Sequence, residues 1–253
     1  VIITNIYGTA GGGPAALTVT DTIPPTVSCP DPKILEFQDE TGATANYVVT
    51  ASDICSAVSL NVNPPSGSLF PIGVTPVVAG ARDSSGNLSQ CSFTVTVLGA
   101  QGVKSNLLAE LTALGTSATL SQTLGEKLDQ AIQHLAASLN PAYWVDQVRL
   151  VPKGGNTAMN EEKLAAGTLA DLMGAKGSPL DPAMLQGWIN RIVKCDRLLA
   201  IIAIQDAARA GLTSKKVAQD LDMVAKGDAE ADKGHYANAI EHYRDAWRHA
   251  LVL

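Results

Sequence analysis

The hydrophobic period of this chain changes once, at Gly99-Ala100-Gln101-Gly102, and that change limits what its 253 residues can fold into. Ahead of the joint, Ser92-Phe93-Thr94-Val95-Thr96-Val97 alternates polar and apolar, the pattern of a strand with one buried face. Short β-branched runs recur at 15–20, 26–29, 47–50, 58–62, 75–79 and 92–98. Between them stand strong turn formers, Pro64-Pro65-Ser66-Gly67 and Asp83-Ser84-Ser85-Gly86-Asn87. Behind the joint Ala, Leu, Lys, Glu and Gln take over and the period becomes helical. Helices are expected near 104–114, 122–138, 160–173, 182–210, 214–226 and 236–251. Asp181-Pro182 reads as an N-cap followed by Pro at the first helical position, and Gly211 and Gly227 read as helix stops. The helix from Pro182 would be roughly 40 Å long at 1.5 Å per residue. Its broad apolar face (Leu185, Trp188, Ile189, Ile192, Val193, Leu199, Ile202) marks it as the centre of a bundle.

Composition removes several function classes. Net charge is −6, and the first 99 residues carry only Lys33 and Arg82 as basic groups. Such a chain has no electrostatic reason to bind nucleic acid or anionic lipid. Aromatic residues make up 4%, which argues against a stacking surface for sugars or single strands. The longest apolar run, 198–204, is too short to cross a bilayer, so no membrane insertion is expected. No leader-like segment opens the sequence and Val1 comes first, so the chain reads as a processed product or a piece of a longer one. No serine elbow, His-Glu-x-x-His run or phosphate loop occurs, and no catalytic residue or cofactor is expected. Gly11-Gly12-Gly13 is followed by Pro14 and opens no helix, so it reads as a turn.

The histidines His235, His242 and His249 recur every seven residues, but two helical turns separate neighbours by about 10.5 Å, too far for one metal ion. They read as a solvated face. Glu161 with Glu162, and Glu241 with Asp245, read as ordinary helix-surface charges. Asp53 and Asp83 could ligate calcium, but no dense oxygen cluster surrounds either, and turn capping is the reading preferred.

Residues 21–98 resemble the HYR (hyalin repeat) module. The resemblance lies in Asp21-Thr22-Ile23-Pro24-Pro25, Cys29-Pro30, Ala51-Ser52-Asp53-Ile54-Cys55 and Pro65-Ser66-Gly67-Ser68-Leu69-Phe70-Pro71-Ile72-Gly73. It continues in Ala81-Arg82-Asp83-Ser84-Ser85-Gly86-Asn87 and Cys91-Ser92-Phe93-Thr94-Val95-Thr96-Val97. It implies an immunoglobulin-like β-sandwich of extracellular or cell-surface proteins, with adhesive roles and no catalysis. One departure is Val77-Val78-Ala79-Gly80, unusually small for the module. The expected fold class is thus multidomain, all-β plus all-α: an immunoglobulin-like β-sandwich followed by an α-helical bundle. The expected divisions are 1–21, 22–99 and 103–253. Phe70 and Phe93 are the apolar anchors expected in the sandwich.

Four cysteines, Cys29, Cys55, Cys91 and Cys195, allow three pairings and show no metal or redox spacing. Cys29 and Cys91 open the first and last strands of a sandwich, which run side by side, and the HYR resemblance implies the same pair. Such a bridge would close a loop of about 60 residues and contribute about 2–4 kcal/mol. Cys55 and Cys195 are then either a bridge tying the two domains together or two free thiols.

Near the C-terminus, Gly227, Gly234, Tyr236, Ala239, Ile240, Tyr243, Ala246 and Trp247 resemble one tetratricopeptide-like hairpin. A single copy cannot bury a continuous core, so it reads as the closing hairpin of the bundle. At the other end, residues 1–7 read as a strand, 8–14 as a flexible stretch and 15–21 as a second strand. An apolar hairpin without a sheet to join is an aggregation hazard. It would belong to a domain ahead of it, fold onto its own sandwich, or add to a neighbouring copy with Ile2, Thr4 and Ile6 filling pockets on one face. Two functions follow. The first is a non-enzymatic extracellular subunit of a surface fibre or filament, partnered by other copies of itself. The alternative is an accessory tail of a larger secreted enzyme or adhesin, binding a surface glycan or cell wall.

Overall fold

The computed structural model describes residues 2–11, 20–117, 120–176 and 178–251. Strands come first and helices second, as the change of period predicts. At the start, β1 (Ile2–Asn5) pairs antiparallel with β2 (Gly8–Gly11) in the register Ile2↔Gly11 to Asn5↔Gly8. This corrects the reading of 1–7 as one strand and 8–14 as flexible. The chain turns back at Ile6-Tyr7, because Gly8, at φ +146°, can take the left-handed conformation a tight reversal needs. The expected strand at 15–20 falls almost wholly outside the described residues.

The β domain follows with β3 (Thr26–Ser28), β4 (Lys33–Glu36), β5 (Ala43–Thr44), β6 (Thr50–Ser52), β7 (Val58–Asn63), β8 (Leu69–Phe70), β9 (Gly73–Asp83) and β10 (Leu88–Leu98). A four-stranded sheet has the order β4-β10-β9-β7, and β3-β6 and β5-β8 form two further pairs. Alternation along the two long strands decides the buried face. Val77, Ala79 and Ala81 are buried in β9, and Phe93, Val95 and Val97 in β10. Within the small run at 77–80, Val77 and Ala79 are therefore core, while Val78 faces out. Phe70 is fully buried, and Tyr47 meets Phe93 edge to face with ring centroids 4.9 Å apart. The strand running parallel beside β10 is β4, in the register Val95↔Lys33. The run at 26–29 instead forms β3 and pairs with β6.

The helices are α1 (Ala100–Ser117), α2 (Gln122–Ser138), α3 (Pro152–Met173), α4 (Pro182–Arg209), α5 (Ser214–Asp232) and α6 (Tyr236–Ala250). A short hairpin of β11 (Trp144–Asp146) and β12 (Arg149–Leu150) lies between α2 and α3. The Asp181 side chain caps α4 by accepting from Ala183 N, with Pro182 at the first helical position. The predicted apolar face of α4 is buried throughout, and α1, α3, α5 and α6 all pack on this helix. Gly211, at φ +105°, ends α4, with Leu212 N donating back to Ala207 O. Gly227 does not end α5, which continues to Asp232; Gly234, at φ +79°, is the stop. Gly227 instead lets the Tyr243 ring of α6 come close: a Cβ there would sit 2.4 Å from Cε1.

The chain divides into two compact units. One comprises 1–32, 46–67 and 76–94; the other comprises 33–45, 68–75 and 95–253. The second unit thus contains β4, β5 and β8 together with all the helices. Within it the expected joint at 99–102 is packed structure. Gln101 N donates to Gln147 O at 3.1 Å, Gly102 N donates to Gln147 Oε1 at 3.0 Å, and α1 already begins at Ala100.

Candidate functional site

Three loops of the β domain meet through carboxylates. Asp21 Oδ1 accepts from Ile23 N at 3.0 Å, and its Oδ2 accepts from Ser56 Oγ at 3.0 Å. Asp53 Oδ1 caps its own turn, accepting from Cys55 N at 2.7 Å and Ser56 N at 2.9 Å. Asp83 Oδ1 accepts from Asn87 N at 2.8 Å, and the Asn87 amide donates to Asp83 Oδ2 at 2.8 Å and to Asp21 O at 3.2 Å. Each is a short side chain satisfying the backbone of a tight turn, which is what an Asp or Asn does within a few residues of its own position. Asp53 and Asp83 are therefore turn caps, and Asn87 ties the Asp83 turn to the Asp21 segment.

The sequence did not show that Asp21, Asp53 and Cys55 come together, with one potential ligand atom each inside a 4.8 Å cluster. The set is a poor metal site on its own chemistry. Calcium takes six to eight oxygens. Partial desolvation, and then the negative charges of Asp21, Asp53 and Asp83, hold the Cys55 thiol above its ordinary pKa, which opposes the thiolate a softer metal requires.

Cys29 and Cys91 are disulfide-bonded, with Cα atoms 6.0 Å apart across 62 residues. The second bridge weighed from the sequence does not form: Cys55 is an exposed free thiol and Cys195 a buried one. Burial pushes the Cys195 thiol well up, so it is a small core residue rather than a nucleophile.

Of the residues assigned to assembly, Ile2 and Thr4 lie in β1, whereas Ile6 falls in the turn. Ile6 and Tyr7 are each 90% exposed, so the hairpin presents an apolar tip. Among the described residues β1 and β2 form a sheet of two strands and no more.

Two of the three spaced histidines pair with carboxylates. His235 Nδ1 lies 2.8 Å from Glu230, and His249 Nδ1 contacts the buried Asp220. Lys233 and then His235 draw the Glu230 carboxyl down to about 2. Arg149 holds Asp206 through Nε at 2.6 Å and Nη2 at 3.2 Å. This fork keeps the Asp206 carboxyl below the usual range and lines an apolar cavity with Leu199, Ala203 and Trp247.

A larger departure from the sequence reading lies inside the helices. Glu162, a surface charge by its sequence context, is completely buried, as are Lys104 and Asp196. Lys104 Nζ donates to Asp196 Oδ1 at 2.7 Å and lies 2.8 Å from Glu162 Oε1. The Trp144 ring centroid is 5.2 Å from the same nitrogen. Burial, and then the neighbouring Asp196, pushes the Glu162 carboxyl far above its ordinary pKa. Desolvation disfavours the Lys104 ammonium, but Asp196 and Glu162 outweigh it and raise its pKa. The signal was present in the spacing. Lys104 falls on the stripe of Ala100, Leu107 and Leu111, and Glu162 on that of Ala158, Ala165 and Leu169. Asp196 falls on that of Ile192, Val193 and Leu199. A charge on an apolar stripe is a buried charge, and three such charges on three helices imply one another.

Comparison with known proteins bears on the first half alone. A family model described as HYR domain matches residues 20–97. A hyalin of Strongylocentrotus purpuratus is 35% identical over 102 residues, which is 38% of this chain and 8% of that protein. A hyalin of Lytechinus variegatus is 33% identical over 109 residues, again 38% of this chain and 20% of that protein. The chain therefore covers a small part of either relative. No solved structure matches it. No described helix is long and apolar enough to cross a membrane. The disulfide fits an oxidising compartment. Residues 20–97 thus match the HYR family, as an immunoglobulin-like β domain of the extracellular or cell-surface kind, and the chain continues from there into six described helices.

Proposed function

We propose that this chain is a non-enzymatic structural or adhesive protein of the extracellular space, a subunit that joins copies of itself into a filament through its β1–β2 hairpin. The observation that carries the reading is a two-stranded hairpin with an exposed apolar tip ahead of a disulfide-strapped HYR domain. Two strands alone are marginal in water and leave both outer edges open to another strand. Main-chain hydrogen bonds from an added strand would supply affinity, and alternate side chains along β1 would supply register. Ile6 contributes from the turn, next to the strand that contains Ile2 and Thr4. A head-to-tail contact that does not close on itself makes a filament. The similarity to two hyalins supports an adhesive role for the module. The α5–α6 hairpin, with its single tetratricopeptide-like spacing, closes the bundle.

Light scattering tests the assembly. The full chain is expected to exceed the monomer mass in a concentration-dependent way, and a chain lacking residues 1–13 to be monomeric with both β and helical signals retained. A monomeric full chain, or a truncated chain that still assembles, overturns the filament.

A further inference from the structure

The buried set of Lys104, Glu162 and Asp196 is unusual for an ion pair in what it leaves undone. All three side chains are sealed from solvent. Yet Glu162 Oε2 and Asp196 Oδ2 find no donor among the described residues, and Glu162 Oε1 has only the Lys104 ammonium at 2.8 Å. A buried ion pair stabilises only when its remaining lone pairs are satisfied, and an apolar trio of equal volume would otherwise serve better. With Glu162 retaining its proton, the set carries one positive and one negative charge, and those charges can be removed together.

We propose that Lys104 and Asp196 condense into an intramolecular isopeptide bond, from Nζ to Cγ, with Glu162 relaying the protons. The step balances without an oxidant, a reductant or a co-reactant. An ammonium proton passes to the Asp196 carboxylate by way of Glu162, leaving a neutral amine beside a neutral acid. The ionised pair predominates, because against desolvation Asp196 holds the Lys104 ammonium above its ordinary pKa, and the neutral pair is the minor state from which the reaction proceeds. The Nζ lone pair attacks Cγ and the N–C bond forms. A second proton leaves the nitrogen through Glu162 to the departing oxygen, the C–O bond breaks, and one water is released. Glu162 ends as it began, protonated. One positive and one negative charge become a neutral amide.

The geometry is prepared for this. Oδ1 stands 2.7 Å from Nζ, and Cγ is one bond further, so a small carboxylate rotation reaches the ~3–3.5 Å of a near-attack arrangement. Glu162 Oε1, 2.8 Å from the same nitrogen, is placed to receive and return its protons. The Trp144 face and the absence of exposed surface on the three side chains exclude bulk water, which would solvate the amine and reverse the reaction. The bond would join α1 to α4 across 92 residues. A pulling load entering α1 would then reach α4 without unfolding α2 or α3, a property suited to an extracellular structural protein. The inference rests on the three side chains and not on the filament.

Mass spectrometry of the purified, reduced, intact chain decides it. The expected mass is about 18 Da below that of the sequence, the loss of one water. Proteolysis should yield a branched peptide linking the segment of Lys104 to that of Asp196. Lys104→Met and Glu162→Gln are expected to show the full sequence mass, with Glu162→Gln retaining its helical circular dichroism. A parent chain at full mass overturns the bond, as does a water loss that maps to any other pair. A Glu162→Gln chain that still loses the water overturns the relay.

Discussion

Asn87 carries more of the β domain than its size suggests. Its backbone N–H and its amide both reach Asp83, and the same amide donates to Asp21 O, so one side chain spans two segments. Asp83 is only 5% exposed. Burial pushes its carboxyl up, but hydrogen bonds from the Asn87 side chain and then its backbone outweigh burial and hold it below the usual range. A carboxyl depressed in the folded state stabilises fully above its unfolded pKa, about 3.9, and loses that contribution as pH falls through the lower folded value. Asn87→Ala is therefore expected to lower the melting temperature at neutral pH. It should also flatten the fall in melting temperature between about pH 5 and about pH 3. A parent-like acid limb in the variant would contradict this account. The Asp-Ser-Ser-Gly-Asn run shows in sequence that a turn is capped here. That the cap also meets Asp21 is a fact of three loops converging, which no local pattern contains. Glu162 is the opposite case: its spacing held the information, but its neighbour Glu161, beside His134 at 2.6 Å, is a genuine partly exposed charge and disguised it.

Helix ends were legible where the apolar period runs up to them and illegible where a glycine serves packing. The spacing predicts α2 at 122–138 and the structure agrees; α4 and α6 each differ by a single residue at the C-terminal end. The expectation for α3 begins at 160, but the helix opens at Pro152. Lys153-Gly154-Gly155 looks like a breaker, yet both glycines are helical and buried. A Cβ on Gly154 would stand 2.5 Å from Tyr143, and one on Gly155 2.5 Å from Trp247. Strands β4, β5 and β8 escaped notice because two to four residues are too short to display a period. The packing reading of Gly227 can be measured against helix propensity. Replacing Gly by Ala in a helix interior gains about 0.8–1.0 kcal/mol, whereas overpacking a filled core costs about 1–3 kcal/mol. Tyr243 is buried and its hydroxyl donates to Asp228, so the ring cannot withdraw. Gly227→Ala should then lose up to about 2 kcal/mol in denaturant unfolding, as overpacking outweighs propensity. Gly187→Ala, where a Cβ meets nothing within 4 Å, should gain up to about 1 kcal/mol. Opposite signs for the same chemical change are the test; equal signs would remove the packing argument.

Compactness in this chain does not follow the compositional joint. The unit that holds the helices also takes in residues 33–45 and 68–75. Within it Arg191 Nη2 reaches Glu36 at 2.6 Å, and Lys194 donates to Phe37 O at 2.7 Å with its ammonium 4.6 Å from the Phe37 ring. Gly99 is packed so closely that a Cβ would meet Gln147 O at 2.7 Å. We expect the helical part, residues 100–253, to fold alone but less stably. Arg191 would keep Glu110 at 2.7 Å and so not be stranded as a lone charge. The ion pair to Glu36 is partly exposed and the cation–π pair to the buried Phe37 has an exposed Lys194; both are absent from such a fragment, and each is of the kind that contributes about 0.2–1 kcal/mol. A total near 1–2 kcal/mol corresponds to a melting temperature lower by roughly 3–8 °C for a fragment of this size. Trp144, Trp188 and Trp247 all lie within residues 100–253, so tryptophan fluorescence follows the same core in the fragment and in the whole chain. A fragment that melts with the whole chain would show that residues 33–45 add nothing to the helices. One that fails to fold would show that the β strands are part of the helical core itself.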